Sequence, residues 1–268
     1  MMTYNVAEPN ARETCSLASK QVNFYKTEGY LVLPSVFRQD EVDGLVDDVD
    51  RLTQDLGQLI DPHNLRVRFK PHCKTGQAVF EVFDPIADLS LPARRMTQDR
   101  RILNALQELY GEPAELFKDK LIYKPPGAIG ATLHQDWIGW PGFPESFLTV
   151  LVALDPFSLE SGATQVFPRV HDRGYLSPKD GQHHYLQAEQ LESQAVPLLL
   201  EPGDVAIFSC FTPHYSDPNN SQQFRRGYFI SYNAKSDGGA QYEKHYREYH
   251  AWLRGKAPSD KQPHLYFR

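Results

Sequence analysis

The chain has 268 residues, a formal net charge of −6 and 41% hydrophobic residues. That is enough apolar surface for a sizeable core, and the acidic balance gives no basic face of the kind nucleic-acid binding needs. The three cysteines, Cys15, Cys73 and Cys210, form an odd set without close spacing, so neither a disulfide framework nor a CxxC metal site is expected. The N-terminus lacks a charged-then-apolar leader, and no apolar run reaches the roughly 18 residues of a membrane span. The expectation is a cytoplasmic protein with no membrane or nucleic-acid partner. Whether it is a monomer or a homodimer is not legible here.

Residues 1–20 are polar and poorly patterned and read as a loose arm. Val22, Phe24 and Tyr25 then fall at near-helical spacing, and Gly29 stops that turn. Tyr30-Leu31-Val32-Leu33 reads as a short strand ended by Pro34. Gln39-Asp40-Glu41 opens a helix that carries Val42, Leu45, Val46, Val49 and Leu52 on one face. Its acidic first turn suits the helix dipole. Arg66, Arg68 and Lys70 alternate with Val67 and Phe69, which fits either a solvated edge strand or a cationic wall facing an anionic substrate. Asp99 to Tyr110 is a second helix, with Gly111 as its stop.

From Glu115 the apolar period shortens to that of strands. Leu116 to Ile122 alternates, Phe147 to Leu154 is a nearly continuous apolar run, and Val196–Leu200, Val205–Cys210 and Arg226–Tyr232 complete a series of short strands. The expectation is one α+β domain over 1–268, mainly β. It would have a double-sheet core over 115–233, with the earlier helices packed outside. Residues 171–194 form a long polar insertion, read as a lid, and Tyr242 to Leu253 looks like a surface helix.

The chemistry centres on Leu133-His134-Gln135-Asp136-Trp137. If this stretch is extended, His134 and Asp136 point to the same face. One more histidine would complete a 2-His-1-carboxylate face, which holds non-haem Fe(II) and leaves positions open for ligands. His214, expected at a strand end after Val205–Cys210, is the candidate. Arg225 follows on the next strand, where a buried guanidinium would grip the distal carboxylate of a keto-acid with two parallel hydrogen bonds. Arg226, its neighbour, must point the other way. Trp137 and Trp140 are core aromatics or an aromatic wall for substrate, and His183-His184 sits in the polar insertion.

These motifs resemble the phytanoyl-CoA dioxygenase family of Fe(II)/2-oxoglutarate-dependent oxygenases. Phe24 to Pro34 is similar to that family's opening segment, and Tyr123-Lys124-Pro125-Pro126-Gly127 precedes His134-Gln135-Asp136 as it does there. Ser161-Gly162-Ala163-Thr164, Phe167 to His171, Pro202-Gly203-Asp204, His214, Ser216 and Arg225 complete the pattern. Arg169 and Val170 depart from it, standing where the family has Gly and Ser. The resemblance implies a double-stranded β-helix (jelly-roll, cupin-like) core, and Fe(II) held by His134, Asp136 and His214. It also implies 2-oxoglutarate held by Arg225 and Ser216, with O2 as the second cosubstrate. Asp136 argues for hydroxylation or a related oxidation, with succinate and CO2 as co-products.

The substrate expectation is a small anionic metabolite, such as a phosphonate or an amino-acid derivative, met by Trp137, Arg169 and Arg68. A natural-product scaffold or an acyl thioester is the alternative, with desaturation or cyclisation as alternative outcomes. A zinc hydrolase would leave Arg225 without a role. A non-catalytic metal-binding jelly roll would not need the complete set.

Overall fold

The computed structural model describes residues 16–55, 57–138 and 142–256. Its strands are β1 (Tyr30–Leu33), β2 (Val67–Pro71), β3 (Ala78–Phe83), β4 (Ala114–Ile122), β5 (Ala131–His134) and β6 (Leu148–Ala153). They continue with β7 (Thr164–Val166), β8 (Val196–Pro197), β9 (Val205–Ser209), β10 (His214–Ser216) and β11 (Gly227–Ala234). The helices are α1 (Ser19–Glu28), α2 (Gln39–Asp55), α3 (Leu91–Thr97), α4 (Arg100–Tyr110) and α5 (Tyr242–Lys256). A seven-stranded sheet runs β1-β9-β6-β11-β4-β3-β2, and a four-stranded sheet runs β5-β10-β7-β8. Together they make the jelly roll.

The period-2 pattern explains why the large sheet is buried on both sides. On β6, Leu148, Val150 and Val152 pack among the helices, while Leu151 and Ala153 face the small sheet. On β9, Val205 and Ile207 take the helix side, and Ala206 and Phe208 the inner side. On β11 Tyr228, Ile230 and Tyr232 face the helices and Phe229 faces inward. The helical face is completed by Val42, Leu45, Val49 and Leu52 of α2 and by Ile102, Ala105 and Leu106 of α4. Asp99 caps α4 by accepting from Arg101 N, and Gly111 ends it in the left-handed conformation at φ 75°.

Four expectations change. The loose arm stops earlier than residue 20, because Leu17 is buried in the main core and α1 starts at Ser19; residues 1–15 lie outside the described set. The large sheet recruits β1, β2 and β3 from the N-terminal half, so it extends beyond the stretch 115–233. Strand β2 is an edge, but its three cations are not a uniform solvated row. A register shift between Arg68 and Phe69 breaks the alternation, and Arg66 is buried against Asp88 at 2.6 Å. Finally, α5 is more than a surface helix, since Tyr246 and His250 are buried. None of the described helices is long and apolar enough to cross a membrane.

Strand β11 starts at Gly227, one residue later than expected, so Arg225 and Arg226 both precede it, yet the two still point in opposite directions. Arg226 turns outward and grips Asp155 with Nε at 2.8 Å and Nη2 at 2.9 Å, while Nη1 reaches Asp50 of α2 at 2.8 Å. It therefore ties α2 to the end of β6. Arg226→Ala should destabilise the protein by about 1–3 kcal/mol, mostly through the well-buried Asp155 pair, since the Asp50 arm is half exposed and adds little. Thermal melting checks this, with a Tm lower by roughly 2–10 °C.

Candidate metal centre and cavity

The two histidines come together through strand pairing. His134 closes β5 and His214 opens β10, and the two are direct cross-strand partners in the small sheet. Their rings lie 4.4 Å apart. Each fixes its own tautomer in the same way: Nδ1–H of His134 donates to Thr132 O at 2.7 Å, and Nδ1–H of His214 to Thr212 O at 3.0 Å. That leaves both Nε2 lone pairs directed at the same space.

Asp136 arrives differently from the expectation. Strand β5 ends at His134, so Asp136 lies beyond it, and its N–H bonds Cys210 O at 3.0 Å. Its Oδ2 accepts from Thr149 Oγ1 at 2.8 Å, which leaves Oδ1 facing both imidazoles, 3.8 Å from each Nε2. The three ligand atoms all lie within 4.8 Å of one another. Between the two, Gln135 points away; its amide holds Gly174 O, Phe211 O and Leu176 N and anchors the loop behind.

Electrostatics favours cation binding. Burial, and then the neighbouring His214, push His134 down to about 3, so it stays neutral. Burial acts to raise Asp136, but His214, Lys120, Lys118 and His134 outweigh it and hold the carboxyl far below the usual range. Two imidazoles, one of them held neutral at His134, and one carboxylate suit non-haem iron(II) with open positions.

A second buried feature lies around Arg225, which is 2% exposed. Its guanidinium sits over the Phe157 ring, 4.4 Å from the centroid, and its Nε and Nη1 have no hydrogen-bond partner among the described residues. Burial pushes it down to about 10, partly offset by Glu81 and Asp155, so it stays charged at neutral pH. Lys124 stands nearby and was overlooked in the sequence beyond its place in a motif. Its Nζ donates to Gly162 O at 2.8 Å, Ser216 Oγ at 2.9 Å and Asp217 O at 2.5 Å. Burial, then the Arg225 charge, push it down to about 6, while three acceptors match the three N–H of its protonated form. Gly162, at φ 69°, permits this contact, since a Cβ there would lie 2.6 Å from the Nζ. Ser216 Oγ also accepts from Ala131 N at 3.1 Å, so its own O–H remains to donate. The Arg225 guanidinium and a free hydroxyl are partners a carboxylate can use, while Lys124 holds that hydroxyl in place.

A cavity of about 790 Å³ opens beside Asp136, lined among others by Phe117, Lys118, His183, Gln241, His245 and Tyr249. The expected substrate residues stand mostly elsewhere. Trp137 packs with Phe117, Phe147 and Cys210 in the core, and Trp140 lies outside the described residues. Arg169 is on the surface, paired with Glu28 at 2.7 Å and outside the cavity lining. Arg68 stands behind the wall, donating to Tyr249 OH at 2.8 Å. His183, from the polar insertion, lines the cavity with its ring 5.4 Å from that of His134.

Comparison with known proteins gives the family. The family model described as phytanoyl-CoA dioxygenase matches residues 25–227. The chain belongs to the phytanoyl-CoA dioxygenase family. Its chemistry is that of an iron- and 2-oxoglutarate-dependent dioxygenase, an oxidoreductase. Among its relatives, a methylphosphonate hydroxylase of Gimesia maris is 36% identical over 146 residues, which is 54% of this chain and 55% of that one. The match therefore spans only about half of that relative. A 2-aminoethylphosphonate dioxygenase from an uncultured bacterium, HF130_AEPn_1, is 28% identical, with 82% of each chain covered. The structure of EctD from S. alaskensis with 2-oxoglutarate and 5-hydroxyectoine has the same fold. Its TM-score is 0.69 at 23% identity, covering 88% of this chain and 84% of that one.

The cavity's far wall carries a pH dependence. Burial, then Lys118, push His245 of α5 down to about 3, and burial likewise pushes His250 down to about 4. An unfolded chain takes up these protons near pH 6.5. Between about 6.5 and 3–4 the unfolded state therefore binds more protons, and stability falls as pH falls through that window. Tm should drop from pH 7 to pH 5, and His245→Gln should flatten the drop. An unchanged slope in the variant would contradict this account.

Proposed function

We propose that His134, Asp136 and His214 hold one Fe(II), that Arg225 and Ser216 bind the distal carboxylate of 2-oxoglutarate, and that the enzyme hydroxylates a small phosphonate-like metabolite. The observation that carries the cosubstrate assignment is the buried Arg225, with two N–H groups lacking partners. A buried guanidinium left in that state is costly unless an anion completes it. The Ser216 hydroxyl, held by Lys124 and Ala131 N, has one proton to donate beside it. The phosphonate reading is supported by the two phosphonate-acting relatives and by Lys118, His183 and His245 in the lining of the cavity beside Asp136.

The iron with 2-oxoglutarate supplies the activation of O2, with the keto-acid converted to succinate and CO2 and oxygen transferred to substrate. The chain's own residues position and enclose. Thr149 and the Cys210 carbonyl fix Asp136 so that a single oxygen faces the imidazoles. The Thr132 and Thr212 carbonyls fix both rings. The segment 171–194 serves as a cover, bringing His183 over the cavity, and its Leu186 N is anchored to Leu133 O at 2.9 Å.

His214→Ala should abolish iron binding and succinate formation together, read by metal content and product assay. Arg225→Ala should leave iron bound but weaken 2-oxoglutarate by about thirtyfold to several thousandfold, the loss of roughly 2–5 kcal/mol expected for a buried charge pair. Arg225→Lys should recover only part, because an ammonium lacks the planar fork. Arg226→Ala should leave the 2-oxoglutarate requirement near wild type. Succinate formation measured against 2-oxoglutarate concentration separates these variants, and a larger effect at Arg226 would sink the assignment.

A further inference from the structure

The geometry points to Lys118 as the group that receives the substrate's anionic end, with the charge of Lys120 beside it making the spot doubly cationic. This inference rests on the reading that substrate is oxidised in the cavity beside Asp136. Along β4, Ile122, Lys120 and Lys118 alternate onto the face turned toward the small sheet. The register then shifts. Lys118 pairs with Ser231 and Leu116 with Tyr232, so Phe117 is an extra residue in the strand. The bulge turns Phe117 inward with Trp137 and Phe147, while Leu116 joins the helix-side core. Both Phe117 and Lys118 consequently line the cavity that Asp136 also lines.

Neither lysine is satisfied by the protein. Among the described residues no hydrogen bond or ion pair reaches either Nζ; Lys118 lies over the Phe147 ring at 5.5 Å and Lys120 over the Phe229 ring at 5.6 Å. Both side chains are half-buried, and an aromatic face meets an ammonium's needs only in part. Asp136, the carboxylate whose charge both lysines feel, is committed to Thr149 and to the two imidazoles. The other acids of the wall are engaged or exposed. Asp84 accepts from Tyr246 OH, Asp180 from His184, and Glu248 lies in solvent. The distal carboxylate of 2-oxoglutarate has its own partners at Arg225 and Ser216. A phosphonate oxyanion on Lys118 would complete the spot and keep the adjoining carbon in the cavity beside the ligand triad.

The test is anaerobic calorimetric titration of the iron- and 2-oxoglutarate-loaded protein with methylphosphonate. Lys118→Met should weaken binding at least about tenfold, the scale of a lost charge-assisted hydrogen bond, and Lys118→Arg should stay within a few fold. The neutral diester dimethyl methylphosphonate should not bind. Equal affinity in Lys118→Met, equal binding of the diester, or no binding of methylphosphonate by the wild type would each overturn the proposal. If Lys118→Met fails to fold, amine labelling of the wild type read by mass spectrometry replaces it. Methylphosphonate should then protect Lys118, and an unprotected Lys118 overturns the proposal. Succinate assays keep the two readings apart. Binding through Lys118 without turnover supports the subsite and defeats phosphonate as substrate. Phosphonate-dependent turnover with an unchanged KM in Lys118→Met does the reverse.

Discussion

Everything at the centre depends on one pairing, that of β5 with β10, which sets His134 directly opposite His214. A cross-strand position is rigid because the ladder on both sides fixes it, and each ring is further locked by a carbonyl two residues back. Asp136 then needs only a short departure from β5 to reach the same point. The remainder of the jelly roll keeps that pairing in place: β7 flanks β10, and Phe208 of the large sheet packs against the His214 ring at 4.9 Å.

Around this centre the fold buries more positive charge than it neutralises. Arg225 and Lys124 are buried in one region, Lys118 and Lys120 are half-buried in another, and Asp136 answers only part of that charge. Such an interior costs stability in the absence of its ligands. The helix-side core, where the strands of the large sheet interlock with α2, α3 and α4, supplies the offset. Polar and apolar halves of the same strands thus have separate tasks: one face holds the fold, the other holds anions.

The sequence exposed the parts of this plan that are local. The short strands, the capped helix ending at Gly111 and the opposite aim of Arg225 and Arg226 follow from spacing and alternation, whereas His134, Asp136 and His214 gather through the β5–β10 pairing and the departure of Asp136 from β5. What escaped was set by long-range contact. Lys124 reads as one more charge before a Pro-Pro-Gly turn, and its role depends on oxygens some 38–93 residues away. In the sequence Arg169 and Arg68 read as available cations, whereas Glu28 and Tyr249, distant in the chain, decide where they point. The β4 bulge is likewise invisible without its partner strand, and Trp137 is an interior residue because Phe117 turns in to meet it.

The family match ends at residue 227, but the cavity does not. Its outer wall comes from Gln241, His245, Glu248, Tyr249 and Trp252, at or within a helix that follows the last strand. The oxidising apparatus and much of the surface that screens what reaches it are therefore separate stretches of polypeptide. Helix α5 is tied to β4 through Tyr242 and Tyr246 on Asp119, so its cavity-facing residues can diverge in sequence without disturbing the strand ladders as long as those two anchors stay. Exchanging this segment between relatives is thus a route to new selectivity on an unchanged catalytic frame, with the join placed after Ala234.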